Sequence, residues 1–196
     1  MTVLEDRIAM AESDNTRQLD EMFEQLEKMP VPEGYKVEIV EGTIYTSPQR
    51  DAHWKTIFAI LQALLEAFGK GVNTVSDVRI DFPGRLNGLA PDVAKLRDDA
   101  EKDSNGRWRH ENVEFIAEVI SQDTARNDYG PKKTAYALAE VPVYLIADPY
   151  AGKCRLFTQP KDGDYVSDLS ITYGGDVDMT TTLLGLVLPT ADLPRG

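Results

Sequence analysis

Apolar side chains recur at helical spacing in three stretches of the chain. The first stripe, at i, i+3, i+4 and i+7 from Leu19, predicts a helix that the segment MPVPEG ends. The second predicts a helix from about Ala52 to Phe68, whose broad apolar face we expect to be core. The third is the short stretch GPKKTAYALAEV, with a proline in its first turn. Non-helical segments separate these three predicted helices.

Strand patterns occupy most of the remaining chain. The stretch YKVEIVEGTIYTS alternates apolar and polar positions and turns at Glu41-Gly42, which is typical of a β-hairpin. Further strands are predicted in NTVSDVRIDFPG, APDVAKL, ENVEFIAEVIS, VPVYLIADP, KCRLFTQ and DYVSDLSITYG. The polar stretch RDDAEKDSNGRWRHEN is predicted to be an exposed loop. This order predicts an α/β (α+β) fold in which helices flank a central mixed sheet.

Composition narrows the class of protein. The chain has 196 residues, of which 42% are hydrophobic and 28% charged, as is usual for soluble globular proteins. No apolar run approaches the roughly 20 residues that cross a bilayer, so we expect no membrane partner. The acidic, polar N-terminus does not resemble a secretory signal. The one cysteine, Cys154, cannot form an internal disulfide, which favours a cytoplasmic location.

The formal net charge of −12 bears on the nature of any partner. Proteins that hold nucleic acid usually display a basic face, because phosphate contacts supply most of the affinity. A nucleic-acid hypothesis must therefore account for the excess acid. A carboxylate cluster that binds cations would account for part of it, and an acidic surface such as RDDAEKD for another part.

Two carboxylates stand in or beside apolar strands. Glu118 lies at the centre of the most apolar strand, and Asp92 follows a proline at the head of another. A buried carboxylate without a partner costs several kcal/mol. Two carboxylates that converge favour a hard divalent cation, and a nearby lysine could then stabilise an anion on a phosphate or orient a water. These groups suit metal-assisted phosphodiester hydrolysis.

Helical spacing distinguishes the two lysines that follow Glu118. The positions i+3, i+4 and i+7 from Lys132 are Ala135, Tyr136 and Ala139, so Lys132 lies at the top of an apolar stripe. The same offsets from Lys133 reach a more polar side of the helix. Lys132 is therefore the better candidate for the site, and Lys133 is expected to be solvated.

Four segments resemble, in the expected order, motifs of the Uma2 family in the PD-(D/E)XK nuclease superfamily: YKVEIVEGTIYTSP, APDV, EVISQDTARNDYGPKKTAYALAEVPVYLIADP and LLGLVLPTADL. The resemblance implies a restriction-endonuclease-like PD-(D/E)XK domain over residues 35–193, preceded by an N-terminal helical segment over 1–34. In this bacterial family the usual strand lysine is missing and the following helix supplies it. The chain agrees, since Ile120 holds the strand position and Lys132 stands four residues before Tyr136.

The resemblance also implies an activity and its residues. It implies a metal-dependent endonuclease that hydrolyses phosphodiester bonds, with DNA as the preferred substrate. Asp92 and Glu118 would bind Mg²⁺, for which Mn²⁺ could substitute, with help from a backbone carbonyl near Val119. Lys132 would be the catalytic lysine, and Glu38 an auxiliary acidic group beside the metal.

Further residues match motifs that flank the site. The resemblance implies support or substrate contact, rather than chemistry, for Ser121, Thr124, Arg126 and Asp128. His53 stands where the family often has a histidine, and either contacts substrate or is a polar helix-start residue. Many nucleases of this fold act as dimers. A homodimer could form a local basic groove from Arg79, Arg85, Arg107, Arg109 and Arg126.

Structural interpretations of the same residues stay open at this stage. Asp92 could cap a turn after Pro91, Glu118 and Lys132 could form a buried ion pair with no catalytic role, and Glu38 could pair across its hairpin. At the level of the whole protein, the alternative is an inactive nuclease-fold protein that serves as a binding or regulatory module. The acidic charge favours that alternative, whereas the presence of Asp92, Glu118 and Lys132 together argues against it.

Overall fold

The structure, a computed structural model, describes residues 3–29, 34–48, 51–122 and 124–196. The helices are α1 (Val3–Glu27), α2 (Asp51–Phe68), α3 (Ala125–Tyr129) and α4 (Pro131–Leu138). The strands are β1 (Tyr35–Val40), β2 (Thr43–Pro48), β3 (Thr74–Val75), β4 (Ile80–Phe82), β5 (Asn87–Leu89), β6 (Val93–Leu96), β7 (Trp108–Arg109), β8 (Val113–Val119), β9 (Val143–Asp148), β10 (Lys153–Lys161), β11 (Asp164–Thr172), β12 (Asp176–Asp178) and β13 (Val187–Pro189). The expected mixed α+β fold is confirmed.

The main sheet has six strands in the order β11-β10-β9-β8-β6-β3. β8 and β9 pair in parallel, and the other neighbours are antiparallel. The central strands β8 and β9 are apolar and largely buried on both faces, as strands covered on both sides require. β6 aligns Val93 with Ala117 of β8, so the residues that flank this pair, Asp92 and Glu118, are brought side by side.

Alternate residues of these strands feed two separate cores. From β8, Phe115, Ala117 and Val119 pack with α2, while Ile116 faces the other side. That second side contains an aromatic group in which neighbouring rings stack or meet edge to face at centroid distances between 4.9 and 6.2 Å. Its members are Phe82, Tyr136, Tyr144, Phe157 and Tyr165.

A second sheet, in the order β2-β1-β5-β4-β7, covers part of the aromatic side. Its β1–β2 hairpin turns at Glu41 and Gly42, both with positive φ, as the sequence predicts. α1 packs on this sheet, with Leu19 and Leu26 against Ile39. The sequence pattern predicts a single central sheet and does not separate these two sheets.

Three details differ from the sequence expectations. α1 begins at Val3 and is longer than its apolar stripe, and residues 30–33, predicted to end it, lie outside the described residues, as do residues 1 and 2 of the predicted 1–34 segment. β7 lies inside the stretch predicted to be a loop, because a two-residue strand has no measurable period. The prediction that the whole apolar face of α2 is core is wrong. Trp54 and Phe58 are 53% and 56% exposed, because the sheet covers only one side of the helix.

Within the described residues, no helix is long and apolar enough to cross a membrane.

Candidate active site

Four buried charged side chains meet between the two sheets, each from a different segment. Glu38 comes from β1, Asp92 from the residue before β6, Glu118 from β8 and Lys132 from the first turn of α4. The β6–β8 register places the two middle carboxylates together. Pro131 at the start of α4 fixes the helix entry, which directs Lys132 inward. The structure thus brings together the four residues predicted for the site, whose chemical roles stay predictions.

Glu118 is held by a different set of partners at each oxygen. Its Oε1 accepts a hydrogen bond from the Tyr136 hydroxyl at 2.6 Å and lies 2.6 Å from Lys132 Nζ. Its Oε2 accepts a long hydrogen bond of 3.4 Å from the Asp92 backbone N–H and lies 3.6 Å from Lys36 Nζ. One oxygen is therefore firmly fixed by α4, while the other faces the interior of the cluster.

The two carboxylate oxygens of Asp92 also have different partners. Oδ2 accepts a hydrogen bond of 2.7 Å from the Val119 backbone N–H, so Asp92 bridges β6 and β8. His53 Nε2 lies 3.1 Å from the same Oδ2, an ion-pair contact rather than a well-directed hydrogen bond. Oδ1 lies 2.7 Å from Lys36 Nζ. Asp92 is thus more than a cap of the turn after Pro91.

Lys132 is surrounded by carboxylates. Its Nζ lies 2.9 Å from Asp128 Oδ1 and 3.1 Å from Glu38 Oε1, besides the contact with Glu118. Glu38 Oε1 also accepts a hydrogen bond of 2.9 Å from the Ala90 backbone N–H. On β2, Tyr45 stands opposite Glu38, so Glu38 does not pair with a charge across its hairpin.

The neighbouring Lys133 lies outside this cluster. Its side chain is 21% exposed, against 3% for Lys132, and its Nζ contacts Asp164 at 2.8 Å. The helical spacing of the apolar positions correctly separated the inward lysine from the outward one.

Lys36 is a member of the cluster that the sequence analysis missed. Its Nζ donates hydrogen bonds to Asp92 Oδ1 at 2.7 Å and to the Ala90 carbonyl at 3.0 Å. It also lies 3.6 Å from Glu118 Oε2 and 3.8 Å from Glu38 Oε2. A signal was available, because Lys36 precedes Glu38 by two residues in an alternating strand and so shares its face.

Burial and neighbouring charges shift the acidities of the cluster in opposite directions. Burial raises the pKa of Glu118 to about 7, although Lys132 and Lys36 act against it. Burial also raises the pKa of Asp128. For Asp92, burial is outweighed by Lys36 and His53, which hold its pKa well below the usual range. Glu118 is therefore the carboxyl that changes its charge near neutral pH.

Lys132, Lys36 and Glu38 keep their charge at neutral pH. Burial acts to lower the pKa of Lys132, but Asp128, Glu118 and Glu38 raise it well above its ordinary value. The carboxylates around Lys36 likewise outweigh burial and raise its pKa. For Glu38, burial is outweighed by Lys132 and Lys36, so its pKa is lowered. Burial lowers the pKa of His53 less than Asp92 raises it.

The flanking residues predicted from the family resemblance fall into two groups. Asp128 lies in the cluster as a partner of Lys132, and His53 lies beside Asp92 in the first turn of α2. Ser121 and Thr124 are hydrogen-bonded to each other through their hydroxyls, at the start of α3. Arg126 is exposed on α3 and outside the cluster. Their roles in support or substrate contact stay predictions.

Three of the arginines proposed for a basic groove are engaged by acidic side chains. Arg79 contacts Asp81 and Asp20, and Arg107 also contacts Asp20. Arg109 pairs with Glu111. Their charges are largely neutralised within the chain, so they do not form a free basic surface.

The donor set fits a hard divalent cation, although no group of three or more His, Cys, Asp and Glu side chains in the described ranges is arranged to hold one. Asp92 Oδ1 and Glu118 Oε2 point at one cationic atom, Lys36 Nζ, while their other oxygens are held elsewhere. Mg²⁺ commonly takes one or two carboxylates and keeps several waters. Carboxyl groups also outnumber ammonium groups in the cluster by four to two, which a divalent ion would offset.

Comparisons with known proteins agree with this geometry. Residues 21–191 match the model of the Uma2 family, described as "Putative restriction endonuclease". A solved structure, a "putative nuclease belonging to DUF820 from Anabaena variabilis", shares the fold with a TM-score of 0.67 and 16% sequence identity, covering 89% of this chain and 96% of that one. No curated protein matches. The restriction-endonuclease-like fold implied by the sequence motifs is therefore confirmed, and the chain belongs to the Uma2 family.

Proposed function

We propose that the protein is a metal-dependent endonuclease that hydrolyses phosphodiester bonds in DNA, with Mg²⁺ as its metal and Mn²⁺ as a substitute. One observation carries the proposal. Asp92 and Glu118 each have one oxygen fixed by the protein and one directed at a common cationic point, and Lys132 lies beside them. Membership of a nuclease family supports the same conclusion.

In this proposal each residue has a defined task. Asp92 Oδ1 and Glu118 Oε2 would hold the metal, with a backbone carbonyl near Val119. Bound Mg²⁺ would polarise the phosphodiester and lower the pKa of a coordinated water. Lys132 keeps its proton, because three carboxylates surround it, and its positive charge can polarise the attacking water or stabilise charge on the phosphate.

The bond changes are those of hydrolysis. The water oxygen forms a bond to phosphorus as the bond from phosphorus to one bridging oxygen breaks, and the proton of the water passes to solvent while the leaving oxygen is protonated. Glu38 and Asp128 position Lys132, and Tyr136 fixes Glu118 Oε1 through its hydroxyl. Glu38, Asp128 and Tyr136 thus keep the reacting groups aligned.

We further propose a cytoplasmic protein that acts as a homodimer. The net charge of −12 and the internally paired arginines weigh against tight DNA binding by a single chain. Two chains would provide two sites, which a cut of both strands requires, and could combine weaker phosphate contacts such as that from the exposed Arg126.

The second candidate is a binding or regulatory module with a nuclease fold and no activity. The specific observation in its favour is that the carboxylates of the cluster are already paired with Lys36 and Lys132, so the cluster is compatible with a purely structural role.

The deciding experiment is a cleavage assay on supercoiled plasmid, linear duplex and single-stranded DNA with Mg²⁺ or Mn²⁺. We expect cleavage by the native protein, loss of cleavage in Asp92→Asn, Glu118→Gln and Lys132→Met, and retention in the control Lys133→Met. These substitutions keep side-chain size close to the original, which limits packing defects. Circular dichroism checks that each variant is folded.

A melting experiment with and without metal provides the second arm. A specific site stabilises the fold by about 2.7 kcal/mol when free metal is a hundredfold above its dissociation constant. Absence of cleavage on every substrate, together with an unchanged melting temperature, would make the binding module the better description.

A further inference from the structure

We propose that Lys36 is a built-in competitor for the metal position, and that a divalent cation binds Asp92 and Glu118 only by displacing the Lys36 ammonium group. The inference rests on the metal site of the proposed function. It concerns a residue to which the sequence motifs assign no role, and it explains why an acidic cluster carries a second buried lysine.

The geometry around Lys36 Nζ is that of a cation site. Nζ contacts the inward oxygens of Asp92 and Glu118 at 2.7 and 3.6 Å, and Glu38 Oε2 lies at 3.8 Å. Asp92 Oδ1 and Glu118 Oε2 are the oxygens left when Val119 N–H takes Asp92 Oδ2 and Tyr136 takes Glu118 Oε1, whereas Glu38 Oε2 also accepts a hydrogen bond of 3.2 Å from Lys132 Nζ. The ammonium group therefore stands where the donor set of the site converges.

Two cations cannot share these oxygens. An ammonium and a divalent ion bound to the same carboxylate pair would repel strongly in an interior from which water is largely excluded. Lys132 avoids this conflict, because it contacts the opposite oxygen of Glu118, Oε1. Of the two lysines that the structure places in the cluster, Lys36 is the one that contacts Asp92 Oδ1 and Glu118 Oε2, the oxygens that a metal would use.

The structure also provides a place for the displaced group. Asp77 Oδ1 lies 3.8 Å from Lys36 Nζ, and its side chain is 29% exposed, against 1% for Asp92 and Glu118. The flexible four-carbon stem of lysine allows the ammonium group to shift toward Asp77 and solvent while it stays charged. Displacement thus exchanges buried partners for a more exposed one.

Metal titration by calorimetry tests the competition directly. In the metal-free protein, the state with Lys36 displaced should make up about a tenth of the population or less. Removal of the ammonium group should then tighten Mn²⁺ binding by about tenfold or more. We expect this for Lys36→Met. Lys133→Met is the matched control, since it removes the same charge outside the cluster, and its affinity should stay within about twofold of the native value. Equal or weaker Mn²⁺ binding by Lys36→Met would overturn the proposal.

A measurement on the native chain avoids any folding defect of the variant. Lysines can be acetylated briefly and the modification at each position counted by mass spectrometry, with and without Mn²⁺. We expect Lys36 to be protected without metal and to become several-fold more reactive with it. Lys132 should stay protected, and Lys55, whose side chain is 61% exposed, should be equally reactive in both samples. Unchanged labelling of Lys36 at saturating Mn²⁺ would contradict displacement.

These outcomes separate the competition from the nuclease activity. Tighter Mn²⁺ binding by Lys36→Met with no DNA cleavage by any form would support displacement and overturn the proposed function. Equal Mn²⁺ affinity of the native protein and Lys36→Met, together with DNA cleavage by the native protein, would overturn displacement and support the proposed function. Absence of Mn²⁺ binding by both would overturn the competition and the metal site together.

Discussion

The two faces of the six-stranded sheet are built from alternate residues of the same strands, yet they bury different kinds of side chain. On the α2 face, β8 contributes Phe115, Ala117 and Val119 to a core of aliphatic and aromatic side chains. On the opposite face the same strand contributes Ile116 and then Glu118, beside the aromatic group and the charged cluster. The charges of the cluster are buried where β1 and α4 supply their partners, whereas on the α2 face the buried Lys95 pairs with Glu114 and lies over the Phe68 ring.

This difference shows that one face is built mainly from apolar side chains, whereas the other combines an apolar core with the candidate site. Burial of apolar side chains on the α2 face contributes favourable free energy without further requirements. A buried ion cluster gains little net stability, because the cost of removing charges from water offsets their attraction. The α2 face can therefore carry a polar site on the reverse of the same sheet.

The largest effect on stability should follow from Lys132→Met on the polar face. It leaves Glu38, Glu118 and Asp128 without their shared cation, which should cost about 3–5 kcal/mol in urea unfolding. Lys133→Met removes a contact to the exposed Asp164 and a cation–π contact with the Phe157 ring, and should cost about 0.5–2 kcal/mol. Similar losses in the two variants would show that the cluster is not a coupled unit.

On the apolar face, Leu145→Ala should cost about 2–5 kcal/mol, because Leu145 is fully buried in the α2 core. Leu145 lies on the side of β9 that faces away from the carboxylate cluster. Urea unfolding should therefore show the loss, while the Mn²⁺ affinity of the folded variant should equal that of the native chain. A changed affinity would mean that the two faces are not independent.

A smaller effect is expected for Tyr136→Phe, which keeps the aromatic packing and removes only the hydrogen bond to Glu118 Oε1. The loss should be about 1.5–3 kcal/mol, as for hydrogen bonds to charged groups. Tyr165→Phe is the matched control, since its hydroxyl donates to the neutral Val141 carbonyl and its removal should cost about 0.5–1.5 kcal/mol. A larger loss of stability in Tyr136→Phe than in Tyr165→Phe would show that the hydrogen bond to the charged partner contributes more than the one to the neutral partner.

The smallest effect concerns Cys154, in the α2 core. Burial raises the pKa of its thiol to about 12, so a thiol reagent at pH 8 should not react with the folded protein and should react with one group after unfolding. Since the thiol pKa is lower in the unfolded chain, at an ordinary 9.0, its contribution to stability should fall as the pH rises above about 9. Rapid reaction under native conditions would indicate that this face opens readily.

The sequence indicated most of the fold because its patterns are local. The alternation of apolar and polar residues predicted the β1–β2 hairpin. The helical spacing of apolar residues predicted that Lys132 faces the interior and Lys133 does not. The division into two sheets could not be predicted in this way, since it depends on pairing between β1 and β5, which are far apart in the chain. The contact of Asp92 with Val119 arises from the register of β6 against β8, and its contact with Lys36 arises from the packing of the second sheet against the main one.

The β1–β2 hairpin has a consequence for how such a site can diversify. Asp92 and Glu118 belong to the main sheet, whereas Lys36 and Glu38 both lie on β1, in the second sheet. The two carboxylates proposed as metal ligands and the lysine that faces them thus belong to separate structural units. In the proposed competition, a single substitution of Lys36 in this hairpin would alter the metal concentration at which the site fills, while the strands that hold Asp92 and Glu118 remain unchanged.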